Sequence, residues 1–554
     1  MMRRQFFNLA AGVGAGAARL FAAEARQTVP VTLDLREPMR LAVQCMIHRM
    51  DPARNYQPWF AVDVKKSRPV ALRHEVWDYG DTSGRFLESF VTARHMIEPT
   101  EEMQVNERRI RKFVGGLFGP DGIVHNPEKK QPDHMFAQGS ALYALVTDYD
   151  DSRDPKLKEK IRAFIAGLGH AARQESDYLW FPQVATSIAP CSHQAAYQVL
   201  PVVRFYELTR DEAALHYAER LARWSFYHDP TVTADGVITK TAWEGHLHAW
   251  MDTYSGMLRC ARAGGKLDRP AVVRRAHLLF EWVKANYTSP FGWVADSVGS
   301  QTCETDTITS AIRLALELIR EGWTGYWDDI ERFVRNQLIE NQFRDVSRLG
   351  IQDPVLALGL TGAFEAYAAP NTLIAVEQGT IEGCCISGGM RGLFLAYQNA
   401  IQETPEEIRV NLLLNAGTKA LEVASYMPYE GRIDLHPNTA KTIAVRCPSW
   451  LEPNSVRIDG AAGIVHDTEP KTRYLKLSNV RPGSAIVLRF DQPEHSQKHV
   501  VAGRTYHAQW RGDTVLAMDP PGVPYPIFQR DQLRARRSPM TERTIAYRVP
   551  SIRW

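Results

Sequence analysis

Two adjacent cysteines, Cys384 and Cys385 in Glu382-Gly383-Cys384-Cys385, are the residues of this chain best suited to chemistry. Neighbouring Cα atoms lie ~3.8 Å apart, closer than an unstrained disulfide prefers. The pair suits a soft metal ion better, because thiolate–zinc bonds run ~2.3 Å. A third cysteine stands upstream in Gln301-Thr302-Cys303-Glu304-Thr305-Asp306. Three thiolates and one oxygen donor would complete a tetrahedron around zinc. A thiolate on such an ion is also a nucleophile already deprotonated at neutral pH, so metal site and reaction centre would coincide. The competing reading is core packing, since free cysteine is among the most buried residue types. That reading suits Cys45, Cys191, Cys260 and Cys447, which are scattered singly.

The N-terminus sets the expected compartment. Arg3-Arg4 precedes Phe6-Phe7, an Ala/Gly-rich stretch follows from Leu9 to Ala18, and Ala23-Glu24-Ala25 offers a small-x-small cleavage site. Residues 1–25 therefore read as a twin-arginine export signal, and the mature protein is expected to be periplasmic or secreted. The apolar stretch is far short of the ~20 residues that span a bilayer, so no membrane association is expected after cleavage. Seven cysteines is an odd count and excludes a fully paired disulfide framework. Net charge is +3 with no basic block, which argues against a nucleic-acid partner. Thirteen Trp, 20 Tyr and 21 Phe are enough to line a carbohydrate cleft as well as fill a core.

Positioning these residues requires more than one domain in 554 residues. From about residue 85 to 405 the apolar residues recur at helical spacing. Ala214, Tyr217, Leu221 and Trp224 share a face after Thr209-Arg210-Asp211-Glu212, which reads as a capping box. Asp268 and Pro270 open another helix. About ten helices joined by Gly/Pro loops point to a solenoid or an (α/α)6-type toroid. Beyond Arg409 the period changes to alternation, as in Ile443, Val445, Cys447 and in Ile486, Leu488, Phe490. Residues 406–530 therefore read as a β-sandwich. Residues 26–84 read as an extended N-terminal arm, and 531–554 as a tail with little signal.

These landmarks together resemble the β-L-arabinofuranosidase clan typified by glycoside hydrolase family 127. The match is carried by Ser300-Gln301-Thr302-Cys303-Glu304, where the family has Glu-Thr-Cys, and by Gly383-Cys384-Cys385 with Arg391 on the following helix. Val410-Asn411-Leu412, Tyr429-Glu430-Gly431, Gly245-His246 and Ser192-His193-Gln194 add to it. The resemblance implies a toroid followed by a β-domain, and a retaining glycosidase whose nucleophile is a zinc-bound cysteine. Carried over, Cys384 is the nucleophile, with Cys303 and Cys385 as further zinc ligands. The family's glutamate ligand falls on Gln301, a poor ligand, which leaves Gln301, Glu304 or Asp306 as the fourth donor. The family's acid/base glutamate has no counterpart in the loop 290–297, where Asp296 is the one carboxylate. His193 and His246 take the place of substrate-contacting histidines. A further family histidine is replaced at Gly139-Ser140, which suggests a different sugar.

Two other functions fit the same sequence. One is another toroid carbohydrate enzyme, such as a polysaccharide lyase or unsaturated-uronide hydrolase, which would need no metal thiolates. The other is a glycan-binding protein whose site has decayed, as Gln301 and the missing glutamate would suggest.

Overall fold

Segments with an apolar stripe on one side must bury it against one another, and among the described residues twelve helices do so in a closed double ring. The structure, a computed structural model, describes residues 26–64, 70–182, 192–374, 379–460, 465–469, 472–523, 525–544 and 547–554. In chain order the ring helices are α1 (Arg36–Ile47), α2 (Gly80–Ala93), α3 (Glu101–Gly115), α4 (Met135–Ser152), α5 (Pro155–Ala171) and α6 (Val199–Thr209). They continue with α7 (Glu212–Arg223), α8 (Leu247–Arg262), α9 (Arg269–Tyr287), α10 (Thr305–Arg320), α11 (Tyr326–Phe333) and α12 (Gly383–Ala400). The even-numbered helices form the inner ring, each packed on the next, and α12 closes against α2. The odd-numbered helices lie outside.

Burial follows these positions. Inner helices α2 and α12 are buried at every residue. Outer helix α9 buries a single stripe, Val272, Ala276, Leu279, Phe280 and Val283. Aspartates cap several outer helices by accepting backbone N–H bonds, among them Asp154, Asp211 and Asp268. Asp211, rather than Thr209, is the cap of α7, because Thr209 still belongs to α6 and Arg210 turns the chain at φ 57°. Hairpin connections make the inner helices run parallel, so their N-termini gather at one mouth of the toroid.

The β-domain follows. One five-stranded sheet is built from 401–403, 407–410, 442–446, 474–478 and 465–469, and a second from 416–417, 421–425, 432–437, 486–489 and 457–459. Ile443, Leu477, Ile433, Leu435 and Ile486 are fully buried in its core. A three-stranded sheet, 494–501, 504–511 and 514–519, completes it.

Two expectations are corrected. Residues 26–84 are not simply extended: they contain α1, which packs outside α12 and α2 and completes the sixth helix pair. The tail is integrated as well, with Met540–Thr544 paired to Arg26–Pro30. Trp554 is buried against Tyr143 of α4, with ring centroids 5.1 Å apart. The export signal, residues 1–25, and Cys191 lie outside the described residues. No helix among the described residues is long and apolar enough to cross a membrane.

Candidate active site

The mouth where the inner helices begin holds a cavity of about 350 Å³. Its lining comes from the start of one inner helix after another: Asp81 and Arg85 from α2, Phe136 from α4, His246 and His248 at α8, Glu304 and Asp306 at α10, and Glu382 and Cys384 at α12. Phe60, Trp77, Trp243 and Tyr367 supply aromatic wall, and Asp296 and Ser297 come from the loop before α10. A pocket of this size with an apolar wall and convergent polar groups is the usual form of a small-molecule site.

Cys384 and Cys385 occupy the first turn of α12. Their helix is launched by the strand Thr380–Glu382, which pairs with Ala61–Asp63, and by the bond from the Gly383 N–H to the Phe60 carbonyl. Glu304 is the N-cap of α10 and Asp306 lies in its first turn. The Glu304 side chain makes no capping bond. It reaches instead to the Cys385 thiol, which donates to Oε1 at 3.6 Å, and to His246 Nε2, 2.9 Å from Oε2. The Cys384 and Cys385 sulfurs are 3.9 Å apart. Donor atoms of Glu304, Asp306, Cys384 and Cys385 all lie within 4.8 Å of one another, and all four residues are buried. Two neighbouring helix N-termini thus converge on four groups that are anionic when ionised, an arrangement helix dipoles favour.

The fit to a metal ion rests on these donors. Thiolate sulfur and carboxylate oxygen are both zinc donors, and buried Asp306 Oδ1 has no hydrogen-bond partner among the described residues. Oδ1 lies against Gly388, where an added Cβ would fall 2.1 Å from it, so only glycine leaves room for this carboxylate. Without a cation, burial favours the neutral forms of Cys384, Cys385 and Asp306. The Cys384–Cys385 hydrogen bond favours the Cys384 thiolate, but burial and the carboxylates Glu382, Asp306 and Glu304 push its thiol up. Burial pushes the Cys385 thiol well up too. Burial also raises the Asp306 carboxyl, against the pull of Arg85.

Around this cluster stand further acids. Glu382 accepts from the Cys384 thiol, 3.5 Å from Oε2, and from the Tyr367 hydroxyl, 3.1 Å from Oε1. Burial and Glu304 push it up to about 8. Burial raises Asp296 as well, against the bonds from Ser300 and Ser297. Burial opposes the charged form of His246, but Glu304 beside it wins and its pKa is raised.

The structure therefore brings together Cys384, Cys385, Asp296 and His246, and with them Glu304 and Asp306, two of the three alternatives for the fourth donor. It does not bring in Cys303 or Gln301. Cys303 lies in an extended segment bridged to Ala295 and Ala368, and successive side chains in such a segment point to opposite sides. Its thiol donates to the Glu304 backbone carbonyl at 3.7 Å rather than joining the donor group, receives Asn341 Nδ2 at 3.8 Å, and is pushed up to about 12 by burial. Gln301 is exposed. The Glu-Thr-Cys order is met three residues later, by Glu304-Thr305-Asp306, with a carboxylate in place of the thiol. His193 is corrected too: it is fully enclosed behind Phe136 and Trp250, and burial pushes it down to about 3. His248, two residues after His246, lines the cavity instead. Glu382, two residues before Cys384, was the other signal missed.

No protein-family model matches this sequence, and no curated protein matches it. Solved structures do. A family 127 β-L-arabinofuranosidase from Geobacillus stearothermophilus T6 is 15% identical, with a TM-score of 0.59 over 87% of this chain and 80% of that one. A second family 127 β-arabinofuranosidase is 16% identical, with a TM-score of 0.58 over 86% and 78%. A protein described as a glycoside hydrolase is 14% identical, with a TM-score of 0.60 over 88% and 81%. At these identities the likeness establishes the fold, a toroid followed by a β-domain.

Proposed function

We propose that this protein is an exported, retaining glycoside hydrolase that acts on β-L-arabinofuranosides or a closely related glycan, with the Cys384 thiolate as nucleophile. The observation that carries the reading is the group formed by Cys384, Cys385, Glu304 and Asp306, three of which line a sugar-sized cavity with Cys385 behind them. The fold shared with two β-arabinofuranosidases supports the substrate class. The two thiols and two carboxylates would hold zinc, which when bound keeps the sulfurs ionised at neutral pH.

The reacting groups divide the work by position. Cys384 lines the cavity while Cys385 is fully enclosed, so Cys384 Sγ is the sulfur a sugar can meet. Sγ attacks the anomeric carbon, the glycosidic C–O bond breaks, and Asp296 gives its proton to the leaving oxygen. The product is a glycosyl-cysteine thioether. Asp296, now a carboxylate, takes a proton from water as that water attacks the same carbon, and Cys384 departs as thiolate. Glu382 sits too near Sγ to leave space for a sugar between them, so its role is to hold Cys384 in place. His246 is positioned to contact sugar hydroxyls, and Trp77 and Trp243 to pack on the sugar's apolar face.

Turnover of 4-nitrophenyl β-L-arabinofuranoside tests this reading, with the anomer released followed by NMR. The expected result is retention, and a rate that falls on the alkaline side as Asp296 loses its proton. Because burial raises this carboxyl, the fall begins above the ordinary carboxylate range. In Asp296→Asn the alkaline limb disappears, and natural glycosides suffer more than the nitrophenyl one, whose leaving group needs little protonation. Inversion, or an unchanged profile in Asp296→Asn, would count against the assignment.

A further inference from the structure

Asp306 is one of the two carboxylates of the group, and a carboxylate has two oxygens where a thiol has one sulfur. Something must decide which oxygen faces the ion. Arg85, on the neighbouring helix α2, donates from Nη1 to Asp306 Oδ2 at 2.9 Å. The other end of the guanidinium is fixed, since Arg85 Nε donates to Asp81 Oδ1 at 2.7 Å. Asp81 Oδ1 also accepts from Ser140 Oγ at 2.6 Å, and Arg85 Nη2 faces His248 Nε2 at 3.4 Å. Arg85, Asp81 and Ser140 are all buried. Asp306 Oδ1 has no hydrogen-bond partner among the described residues, against the bare Cα of Gly388 one turn after Cys384.

We propose that Arg85 is a positioning residue for a divalent metal ion. By engaging Oδ2 it fixes the rotation of the Asp306 carboxylate, leaves Oδ1 as the donor, and balances the charge of a ligand set with two carboxylates. Ser140 and Asp81 are the rear anchor of this device. The proposal rests on the reading that the Cys384–Cys385–Glu304–Asp306 group binds such an ion. Outer partners of metal ligands commonly contribute ten- to a hundredfold in affinity.

Titration of the metal-free protein with Co²⁺ tests it, read by the sulfur-to-cobalt charge-transfer band and by the intensity of the visible bands, which report tetrahedral geometry. Arg85→Met is expected to weaken Co²⁺ roughly ten- to a hundredfold and to lower the visible intensity. Arg85→Lys should recover most of the affinity. The decisive arm is Asp306→Cys, whose single sulfur needs no orienting: there, adding Arg85→Met should cost little further, a non-additivity that general destabilisation would not produce. Unchanged affinity in Arg85→Met, or an equal loss in the Asp306→Cys background, overturns the proposal while leaving the metal site intact. Wild-type protein that shows no sulfur-to-cobalt band overturns the metal site and the role of Arg85 together.

Discussion

Cys384→Ser is expected to lose activity on an activated arabinofuranoside by roughly a thousandfold or more, with the fold kept and the thermal midpoint lowered no further than a chelator lowers that of the wild type. The reason is local. Cys384 is 7% exposed and opens onto the cavity from the first turn of α12, where serine is tolerated by the helix. A serine hydroxyl ionises far less readily than a thiol, and the two converging helix N-termini do not close that gap. The measurement is kcat together with the circular dichroism melt. Retention of more than about a tenth of the rate would place Cys384 outside the reaction; a thousandfold loss is what removal of a nucleophile gives.

Cys385→Ala is expected to act differently, through metal and stability. Its thiol is fully enclosed, bonded to Glu304 Oε1 and next to Cys384, and it makes no wall of the cavity. Removing it takes away one of four donors, so zinc content should fall and activity with it. A bound ligand in hundredfold excess over its dissociation constant adds about 2.7 kcal/mol of stability. Wild-type protein treated with a chelator should therefore lose thermal stability, and Cys385→Ala should melt near the chelated wild type and show no further drop with chelator. Metal analysis and calorimetry check this. A chelator-sensitive melt that persists in Cys385→Ala would show that the ion sits elsewhere.

Much of the fold was legible because outer helices bury one stripe and strands of the β-domain alternate. Asp268 with Pro270 marked α9 correctly, as the structure's cap on Ala271 N shows. Helix α1 was not legible: its N-cap is Leu35, which has no capping side chain, and it follows a run of Val31-Thr32-Leu33 that reads as extended. The site was half legible. Adjacent cysteines draw attention by rarity, and Cys384-Cys385 do stand at the cavity. Cys303 drew the same attention, but a bridge-forming extended segment turns its thiol into the core and hands the site to Glu304 and Asp306. Carboxylates at a helix start are so common as dipole partners that their sequence carries no metal signal of its own. Arg85 and Asp81 carry none either, because only closure of the inner ring brings α2 beside α10.

The central claim is that Cys384 bonds to the sugar. It is tested most directly by rapid quench of the zinc-loaded enzyme during turnover of a 2,4-dinitrophenyl arabinofuranoside, with intact-mass measurement and peptide mapping. The account predicts one anhydropentose unit on the peptide that carries Cys384, lost on standing and absent in Cys384→Ser. A pentose adduct on Glu382, Asp296 or any other residue, or turnover with the same adduct in Cys384→Ser, would contradict it.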